Sequence, residues 1–107
     1  MSGTKVRAID DHNFEAEVLR SPEPFLLEFG ATWCGPCKAM APVVEALAAE
    51  TDGKARVGAI DMDDAPETAK RFGVRGVPTV LVFKDGQLAA RHTGATTHAK
   101  LRALLGV

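Results

Sequence analysis

Residues 25–38 read FLLEFGATWCGPCK, in which an apolar run leads through a short loop to two cysteines three positions apart. Residues 25–29 are apolar on both faces of a strand except at Glu28, a pattern typical of the middle of a covered parallel sheet. The residues that follow the loop repeat apolar side chains at helical spacing. This order predicts that Cys34 and Cys37 stand at the start of a helix, on one face and within reach of a disulfide.

The predicted helix distinguishes the two cysteines from each other. Cys37 lies three residues before Met40 and seven before Val44, on the stripe that we expect to be buried. Cys34 lies one turn earlier, at the end that we expect to face solvent. The first amides of a helix have no partner within it, and their partial positive charge favours a thiolate, the reactive form of cysteine. We therefore predict that Cys34 attacks a disulfide in another protein and that Cys37 resolves the mixed disulfide.

Two other readings of the cysteine pair stay open at this point. The pair could be a structural disulfide, or it could be half of a zinc site that needs two more cysteine or histidine ligands. The available histidines are His12, His92 and His98, none of which has ligand spacing to the others. Because a close pair of cysteines in a reducing compartment is more often catalytic or metal-binding than structural, we favour chemistry and expect no metal.

The composition is that of an ordinary globular domain. Of its 107 residues 46% are hydrophobic and 25% charged, and 13 basic and 14 acidic residues leave a net charge of −1. No basic block indicates nucleic acid or a membrane surface, and no apolar run is long enough to span a bilayer. The length is that of one compact domain, so we expect a single domain over residues 1–107. Since the first residues lack the apolar core of a signal peptide, we expect the protein in the cytoplasm. With no coiled-coil repeat or long apolar edge, we expect a monomer.

The other patterns along the chain predict an α/β order. Strands are predicted near residues 6–9, 25–29, 56–61, 79–83 and 87–93, and helices near residues 10–20, 34–52, 64–73 and 97–105. Asp10 or Asp11 is positioned to cap the first helix and Asp64 the third. Asp85-Gly86 is a two-residue hairpin signal. Together these elements predict a mixed sheet with helices on both faces.

Two separate motifs resemble those of the thioredoxin family. They are Trp33-Cys34-Gly35-Pro36-Cys37-Lys38 after an apolar strand, and Gly76-Val77-Pro78-Thr79 at the start of a later one. The likeness covers nearly the whole chain, including Phe14, Pro42, Asp63, residues 71–75 and Gly94. It implies the thioredoxin fold, a central mixed five-stranded sheet flanked by four helices. It also implies a protein-disulfide reductase that carries electrons through Cys34 and Cys37, with no cofactor beyond this disulfide.

The resemblance implies partners as well. They are disulfide-containing proteins and an NADPH-dependent, flavin-containing thioredoxin reductase that restores the dithiol. Gly35-Pro36, between the cysteines, resembles the reducing members of the family; a net oxidase or isomerase would differ in redox poise. A second class of function, a binding subunit whose surface matters more than its thiols, would not require the intact motif.

The resemblance further implies the residues that surround the cysteines. Pro78 should follow a cis peptide bond, which occurs at only about 5–6% of X–Pro bonds in general. Val77 would offer its backbone to an extended substrate, and Trp33 is expected to be a partly exposed wall beside Cys34 rather than part of the core. An ordinary turn is the alternative role for Gly76 and Gly94. The predicted substrate groove consists of Trp33, Gly76, Val77, Pro78, Thr79, Gly94 and Ala95, next to Gly35 and Pro36.

Glu28 is an acid inside an apolar strand, six residues before Cys34. Burial would raise the pKa of its carboxyl group, as a proton acceptor for Cys37 requires; alternatively, the strand is short and Glu28 reaches solvent at its end. The family usually has Asp here, Lys where this chain has Ala59, and often a second Trp where it has Gly30. We expect these departures to make the carboxylate harder to ionise, to move resolution to a higher pH and to loosen the site behind the active-site loop.

Overall fold

Five strands form one mixed sheet in the computed structural model, which describes residues 4–107. They are β1 (Arg7–Ile9), β2 (Phe25–Gly30), β3 (Arg56–Asp61), β4 (Thr79–Lys84) and β5 (Gln87–Thr93). The strands lie in the order β1-β3-β2-β4-β5. β3 runs parallel to β1 and β2, whereas β4 runs antiparallel to β2 and β5. β2 is therefore the central strand, and it is hydrogen-bonded on both edges.

Helical segments cover both faces of the sheet, as the sequence predicts. The first is a wide turn with π-helical hydrogen bonds, Glu15–Leu19, and the others are α1 (Gly35–Glu50), α2 (Pro66–Arg71) and α3 (His98–Leu105). The π-helical segment and α2 pack on one face and α1 and α3 on the other. This is the predicted architecture, a mixed five-stranded sheet with four helical segments.

Alternate side chains of the strands contribute to two apolar layers. The layer under the π-helical segment and α2 consists of Ile9, Phe14, Val18, Phe25, Leu27, Phe29, Ile60, Ala65, Ala69, Val74, Leu81 and Phe83. The layer under α1 and α3 consists of Leu26, Met40, Val44, Leu47, Ala48, Ala55, Val57, Val80, Val82, Leu101 and Leu105. Because Glu28 is two residues after Leu26 on β2, its carboxyl group lies on the α1 side of the sheet.

The first helical segment differs from the α-helix predicted over residues 10–20. Its hydrogen bond from the Arg20 N–H to the Glu15 carbonyl spans five residues instead of four. The wider turn lets Phe14 and Leu19, five positions apart, contact the same apolar layer as Val18. Because this one turn is wider than an α-helical turn, Phe14, Val18 and Leu19 can all pack on the same face.

Asp10 caps the turn that leads into this segment, whereas Phe14, the N-cap residue of the segment itself, makes no side-chain capping hydrogen bond. Its Oδ1 accepts hydrogen bonds from the backbone N–H groups of His12 at 2.8 Å and Asn13 at 2.9 Å. In return, the side-chain oxygen of Asn13 accepts the Asp10 N–H at 2.8 Å. These bonds satisfy amides that a helix start leaves without an internal partner.

Asp11 caps a different helix, α2. Its carboxylate accepts hydrogen bonds from the Glu67 N–H at 3.2 Å, the Thr68 N–H at 2.9 Å and the Thr68 hydroxyl at 2.6 Å. The prediction that Asp64 caps α2 is wrong, because Ala65 occupies the N-cap position and Asp64 lies one residue too early. The hydrogen bonds, chiefly the one from the Thr68 hydroxyl, lower the pKa of Asp11 from its ordinary value.

The hairpin between β4 and β5 has the turn predicted from its sequence. Asp85 and Gly86 have φ angles of 53° and 76°, and positive φ at both positions is the type I′ geometry. A Cβ atom on Gly86 would lie 3.1 Å from the Leu19 carbonyl oxygen. Glycine at this position therefore serves both the turn and its contact with the first helical segment.

Two expectations about the whole chain are not decided by these elements. Within residues 4–107 no helix is long and apolar enough to cross a bilayer. The expectation of one domain over residues 1–107 stays a prediction. The expectation that the first residues lack a signal peptide falls partly on residues 1–3, which lie outside the described part of the chain.

Asp11→Ala is expected to lower the urea midpoint of unfolding, because α2 loses the acceptor for its first amides. Asp64→Ala is the matched control, and its midpoint should equal that of the wild type. Since the pKa of Asp11 is lowered on folding, its contribution is full above the unfolded value and is lost as the pH falls through the folded value. The effect should therefore be larger at about pH 7 than at about pH 2. Equal midpoints for the two variants at neutral pH would contradict this assignment.

Candidate active site at the start of α1

Three loops meet where β2 leaves the sheet. Phe29 of β2 pairs with Thr79 of β4, and the Val77–Pro78 peptide just before Thr79 is cis, as the resemblance implies. Gly94, which follows β5, donates its N–H to the Pro78 carbonyl at 2.8 Å. The register of the sheet thus brings the loops at residues 31–34, 76–78 and 94–95 to one end of the sheet.

Cys34 and Cys37 form a disulfide at the start of α1, with their Cα atoms 5.3 Å apart. Cys34 is the N-cap residue, and its Sγ accepts a hydrogen bond from the Cys37 N–H at 3.2 Å. The sulfur occupies the place that a side-chain oxygen takes in an ordinary N-cap. An amide directed at this sulfur would favour the thiolate once the disulfide is reduced.

The contrast in exposure predicted for the two cysteines is wrong for the disulfide form. Cys34 is 4% exposed and Cys37 is 8% exposed, so both are buried. The helical repeat correctly places Cys37 on the buried face of α1. It does not predict the burial of Cys34, because Cys34 is the N-cap residue and lies outside the helical repeat. Cys34 has extended backbone angles, φ −94° and ψ 110°, and its side chain turns back toward Cys37 instead of into solvent.

Trp33 lies outside the core, as expected, and is 68% exposed. Its indole N–H donates a hydrogen bond to Oδ2 of Asp63 at 2.7 Å, which holds an otherwise free ring against the loop after β3. No sequence pattern predicted this role for Asp63. Because the two residues are 30 positions apart, no local pattern could have revealed the contact.

The predicted groove residues differ in their exposure. Thr79 is buried, and its hydroxyl donates to the Gly76 carbonyl at 2.7 Å, so it holds the loop. Pro78 is buried as well, while Val77 is half-buried and its backbone N–H and carbonyl make no hydrogen bond within residues 4–107. Of the other residues predicted for the groove and its surroundings, Trp33, Gly35, Pro36, Gly76 and Ala95 are exposed and Gly94 is half-buried.

Glu28 is buried in the middle of β2 and is 7% exposed. It pairs with Ala59 of β3 and Val80 of β4, so the alternative of a strand end in solvent is excluded. Its Oε2 atom has no hydrogen-bond partner within the described part of the chain. Burial disfavours the charged form and raises the pKa of Glu28 from 4.5 to about 7.

Gly30 leaves a space between Glu28 and the disulfide. A Cβ atom at Gly30 would lie 3.6 Å from the Cys37 Sγ and 3.9 Å from the Glu28 Oε2. The Cys37 sulfur and the Glu28 carboxyl group therefore both lie next to the position that a side chain at Gly30 would occupy. A cleft of about 240 Å³ lies here, and its lining includes Glu28, Gly30, Ala59 and Asp61; the looser site expected behind the active-site loop stays a prediction.

The structure has the features of a thiol–disulfide oxidoreductase: a mixed α/β sheet, a Cys-Gly-Pro-Cys disulfide at a helix N-cap and a cis-proline loop.

The family model for thioredoxin matches residues 5–106. A thioredoxin from Acidithiobacillus ferridurans is 43% identical over 97 residues, which cover 91% of this chain and 90% of that protein. Thioredoxin C-2 from Corynebacterium nephridii is 42% identical over 105 residues, which cover 98% and 96% respectively. A thioredoxin from Haemophilus influenzae is 44% identical over 98 residues, 92% of either chain.

The chain belongs to the thioredoxin family. It is a thiol–disulfide oxidoreductase. Its Cys34–Cys37 pair alternates between a dithiol and a disulfide by exchange with disulfides in other proteins. Thioredoxins use their own cysteine pair for this reaction and need no cofactor. Within residues 4–107 no three His, Cys, Asp or Glu side chains are grouped as metal ligands would be.

The burial of Glu28 is expected to make the stability of the oxidised protein depend on pH. The folded pKa, about 7, lies above the ordinary value of 4.5, so the contribution of this group is full below about pH 4.5 and is lost as the pH rises through about 7. Glu28→Gln removes this dependence. The unfolding free energy of the variant relative to wild type should therefore rise by about 2 to 3 kcal/mol between about pH 4.5 and pH 8.

Urea unfolding of both oxidised proteins across this pH range measures the effect. Glu67→Gln is the control, because Glu67 is exposed on α2, on the opposite face of the sheet, and its replacement should leave the pH profile unchanged. A constant difference between Glu28→Gln and wild type at every pH would show that the carboxyl group ionises normally in the folded protein.

Proposed function

We propose that Cys34 is the nucleophile and Cys37 the resolving thiol of a protein-disulfide reductase. The observation that carries the proposal is the hydrogen bond from the Cys37 N–H to the Cys34 sulfur, 3.2 Å long, at the N-cap of α1. In the reduced protein the same amide, together with the other free amides of the first turn, stabilises a thiolate at Cys34. Cys37 lies within the helix and has no equivalent donor directed at its sulfur among residues 4–107.

The exchange transfers two electrons in two steps. The Cys34 thiolate attacks one sulfur of the substrate disulfide, the other substrate sulfur leaves as a thiolate, and a mixed disulfide joins Cys34 to the substrate. Cys37 then loses its proton and attacks the Cys34 sulfur. The second substrate sulfur leaves, the Cys34–Cys37 disulfide forms, and the substrate has gained two electrons and two protons.

Glu28 accepts the proton that Cys37 loses in the second step. Its carboxyl group and the Cys37 sulfur border the space above Gly30, which allows transfer through one water molecule. A pKa of about 7 suits a group that must gain and lose a proton near neutral pH. The carboxylate is on a strand rather than a loop, so its position does not depend on the substrate.

An extended segment of the substrate binds along the loops around the disulfide. Val77 supplies a backbone N–H and carbonyl that make no hydrogen bond within residues 4–107 and can pair as in a strand, and Pro78, which has no N–H, ends the segment that can pair. Gly35, Pro36, Gly76, Thr79, Gly94 and Ala95 complete this surface beside Trp33. Because their side chains are small or turned inward, they select an extended backbone more than a particular sequence.

The partners in this cycle are disulfide-containing proteins and an NADPH-dependent, flavin-containing thioredoxin reductase that restores the dithiol. The thioredoxin relatives support this assignment. A compartment that is kept reducing, the cytoplasm, suits a chain whose cysteine content is one close pair. The monomer is the proposed working form, since exchange at a single exposed edge needs no second subunit.

The roles of the two cysteines are separated by serine variants. Cys34→Ser is expected to abolish reduction of insulin with dithiothreitol as the electron donor, because no nucleophile remains. Cys37→Ser should accumulate a mixed disulfide through Cys34, which mass spectrometry after acid quenching detects, whereas the wild type resolves it. Trapping by Cys34→Ser instead would reverse the assignment, and an inactive wild type would leave only a binding subunit.

Resolution of a preformed mixed disulfide at Cys34 should depend on the ionisation of Glu28. The rate in the wild type should rise through about pH 7, following the pKa of Glu28. Glu28→Gln should lose this rise and resolve about a hundredfold more slowly at about pH 8. Stopped-flow release of a chromophoric thiol measures the rate, with Glu67→Gln as the control on an exposed carboxylate. Superimposable pH profiles for wild type and Glu28→Gln would dispose of the proton-acceptor role.

A further inference from the structure

A second cleft, of about 290 Å³, lies beside Glu28 between β1, β3 and α1. We call it the Glu28 cleft; its apolar lining residues are Val6, Ala8, Ala41, Val44 and Ala59, and its polar ones are Thr4, Arg7, Glu28 and Glu45. Three of the apolar residues are alanines, one each from β1, α1 and β3, so the layer under α1 is incomplete here. A cleft of this size holds a small organic molecule.

The carboxyl group of Glu28 is where the two clefts meet. The Glu28 cleft and the cleft over Gly30 share Glu28 and Ala59 in their linings. Glu28 is more than nine-tenths buried, and its Oε2 has no hydrogen-bond partner within residues 4–107. A buried polar atom without a partner costs free energy, and the cost grows when the group is charged. A ligand that brings a positive donor to this carboxylate would remove that cost.

The other charged groups around the clefts favour a cation. Glu45 of α1 and Arg7 of β1 line the Glu28 cleft, and Asp61 of β3 lines the cleft over Gly30. Arg7 is engaged by Glu17, whose Oε1 lies 3.3 Å from its NH1 atom. Three acidic residues therefore line the two clefts, whereas Arg7, the basic residue in these linings, is already paired.

We propose that the Glu28 cleft is a binding site for a small aliphatic primary ammonium ion, whose charged head pairs with Glu28 and whose alkyl chain lies against Ala8, Ala41 and Ala59. An ammonium head suits a single buried carboxylate, since it is compact and has three donors. A divalent metal ion would need several more oxygen ligands at this depth. An anion would meet the carboxylates of Glu28 and Glu45, and a neutral molecule would leave Glu28 without its counter-ion.

Occupancy of the site would bear on the exchange reaction. A bound ammonium ion favours the ionised form of Glu28, so it would change the pH at which that group can accept a proton. This consequence depends on the role proposed above for Glu28 in resolution. Binding itself does not depend on that role, and it is measured on the oxidised protein without substrate.

The test is a titration of the oxidised protein with n-butylamine at about pH 8, followed by methyl and amide NMR shifts. At this pH the amine is protonated, as a lysine side chain is, and Glu28 is largely ionised. Saturable shifts are expected at Ala8, Ala41 and Ala59, with half-saturation at millimolar concentration. n-Butanol, which matches the chain but has no charge, is the ligand control and should bind at least about tenfold more weakly.

Three variants make the test decisive. Glu28→Gln keeps the shape of the cleft and should weaken n-butylamine binding at least about tenfold. Ala59→Leu fills the cleft and should abolish binding while it keeps the carboxyl group of Glu28, and Ala41→Leu fills the cleft from α1 if the strand variant does not fold. Affinity should also fall at least about tenfold from about pH 8 to pH 5.5, as Glu28 takes up its proton. Absence of saturation up to about 50 mM, equal affinity in Glu28→Gln, or equal binding of n-butanol would each overturn the proposal.

Discussion

β2 is hydrogen-bonded on both edges, in parallel to β3 and antiparallel to β4, and its residues 25–29 are all buried. Such a strand cannot shift along its neighbours without moving apolar side chains to the wrong face. Its carboxyl end therefore supplies a defined starting point for the loop that leads to Cys34. The same pairing places Thr79 opposite Phe29 and so brings the Val77–Pro78 peptide to that end of the sheet. The geometry of the active site depends on how this central strand is held.

The two polar groups at the site have opposite surroundings. The sulfur of Cys34 accepts an amide N–H, whereas Oε2 of Glu28 accepts no hydrogen bond from the described part of the chain. One environment favours negative charge and the other disfavours it. A site that must create a thiolate at one sulfur and take a proton from the other needs both environments within a few ångströms. The helix start provides the first, and the interior of β2 provides the second.

The small residues Gly30 and Ala59 leave space around the carboxyl group of Glu28. Gly30 leaves the space that separates its carboxyl group from the Cys37 sulfur, and Ala59 on β3 leaves the neighbouring cleft open. A larger side chain at either position would either contact the carboxyl group or close its access to small molecules. Gly30 and Ala59 thus define the surroundings of Glu28 within a fold that the rest of the sheet maintains.

Much of the fold and the cysteine site could be predicted because the signals are local. The apolar run of β2, the helical spacing after the cysteines and the Asp85-Gly86 turn each involve contacts over a few residues. Backbone propensity and side-chain period therefore sufficed for the order of the elements. The same local pattern placed Cys34 and Cys37 at a helix start, and two motifs together indicated the family.

What the tertiary structure alone decided involves residues distant in the chain. Asp11 rather than Asp64 caps α2, Asp63 holds Trp33, and Ala8, Ala41 and Ala59 open a cleft against Glu28. Cys34 is buried because the disulfide and the N-cap geometry turn its side chain inward, which no helical period describes. The sequence by itself determined which segments form strands and helices and where the reactive sulfurs lie. Partners for polar groups and the empty space beside them arise only when those segments pack, because both depend on distances between residues that the linear order does not contain.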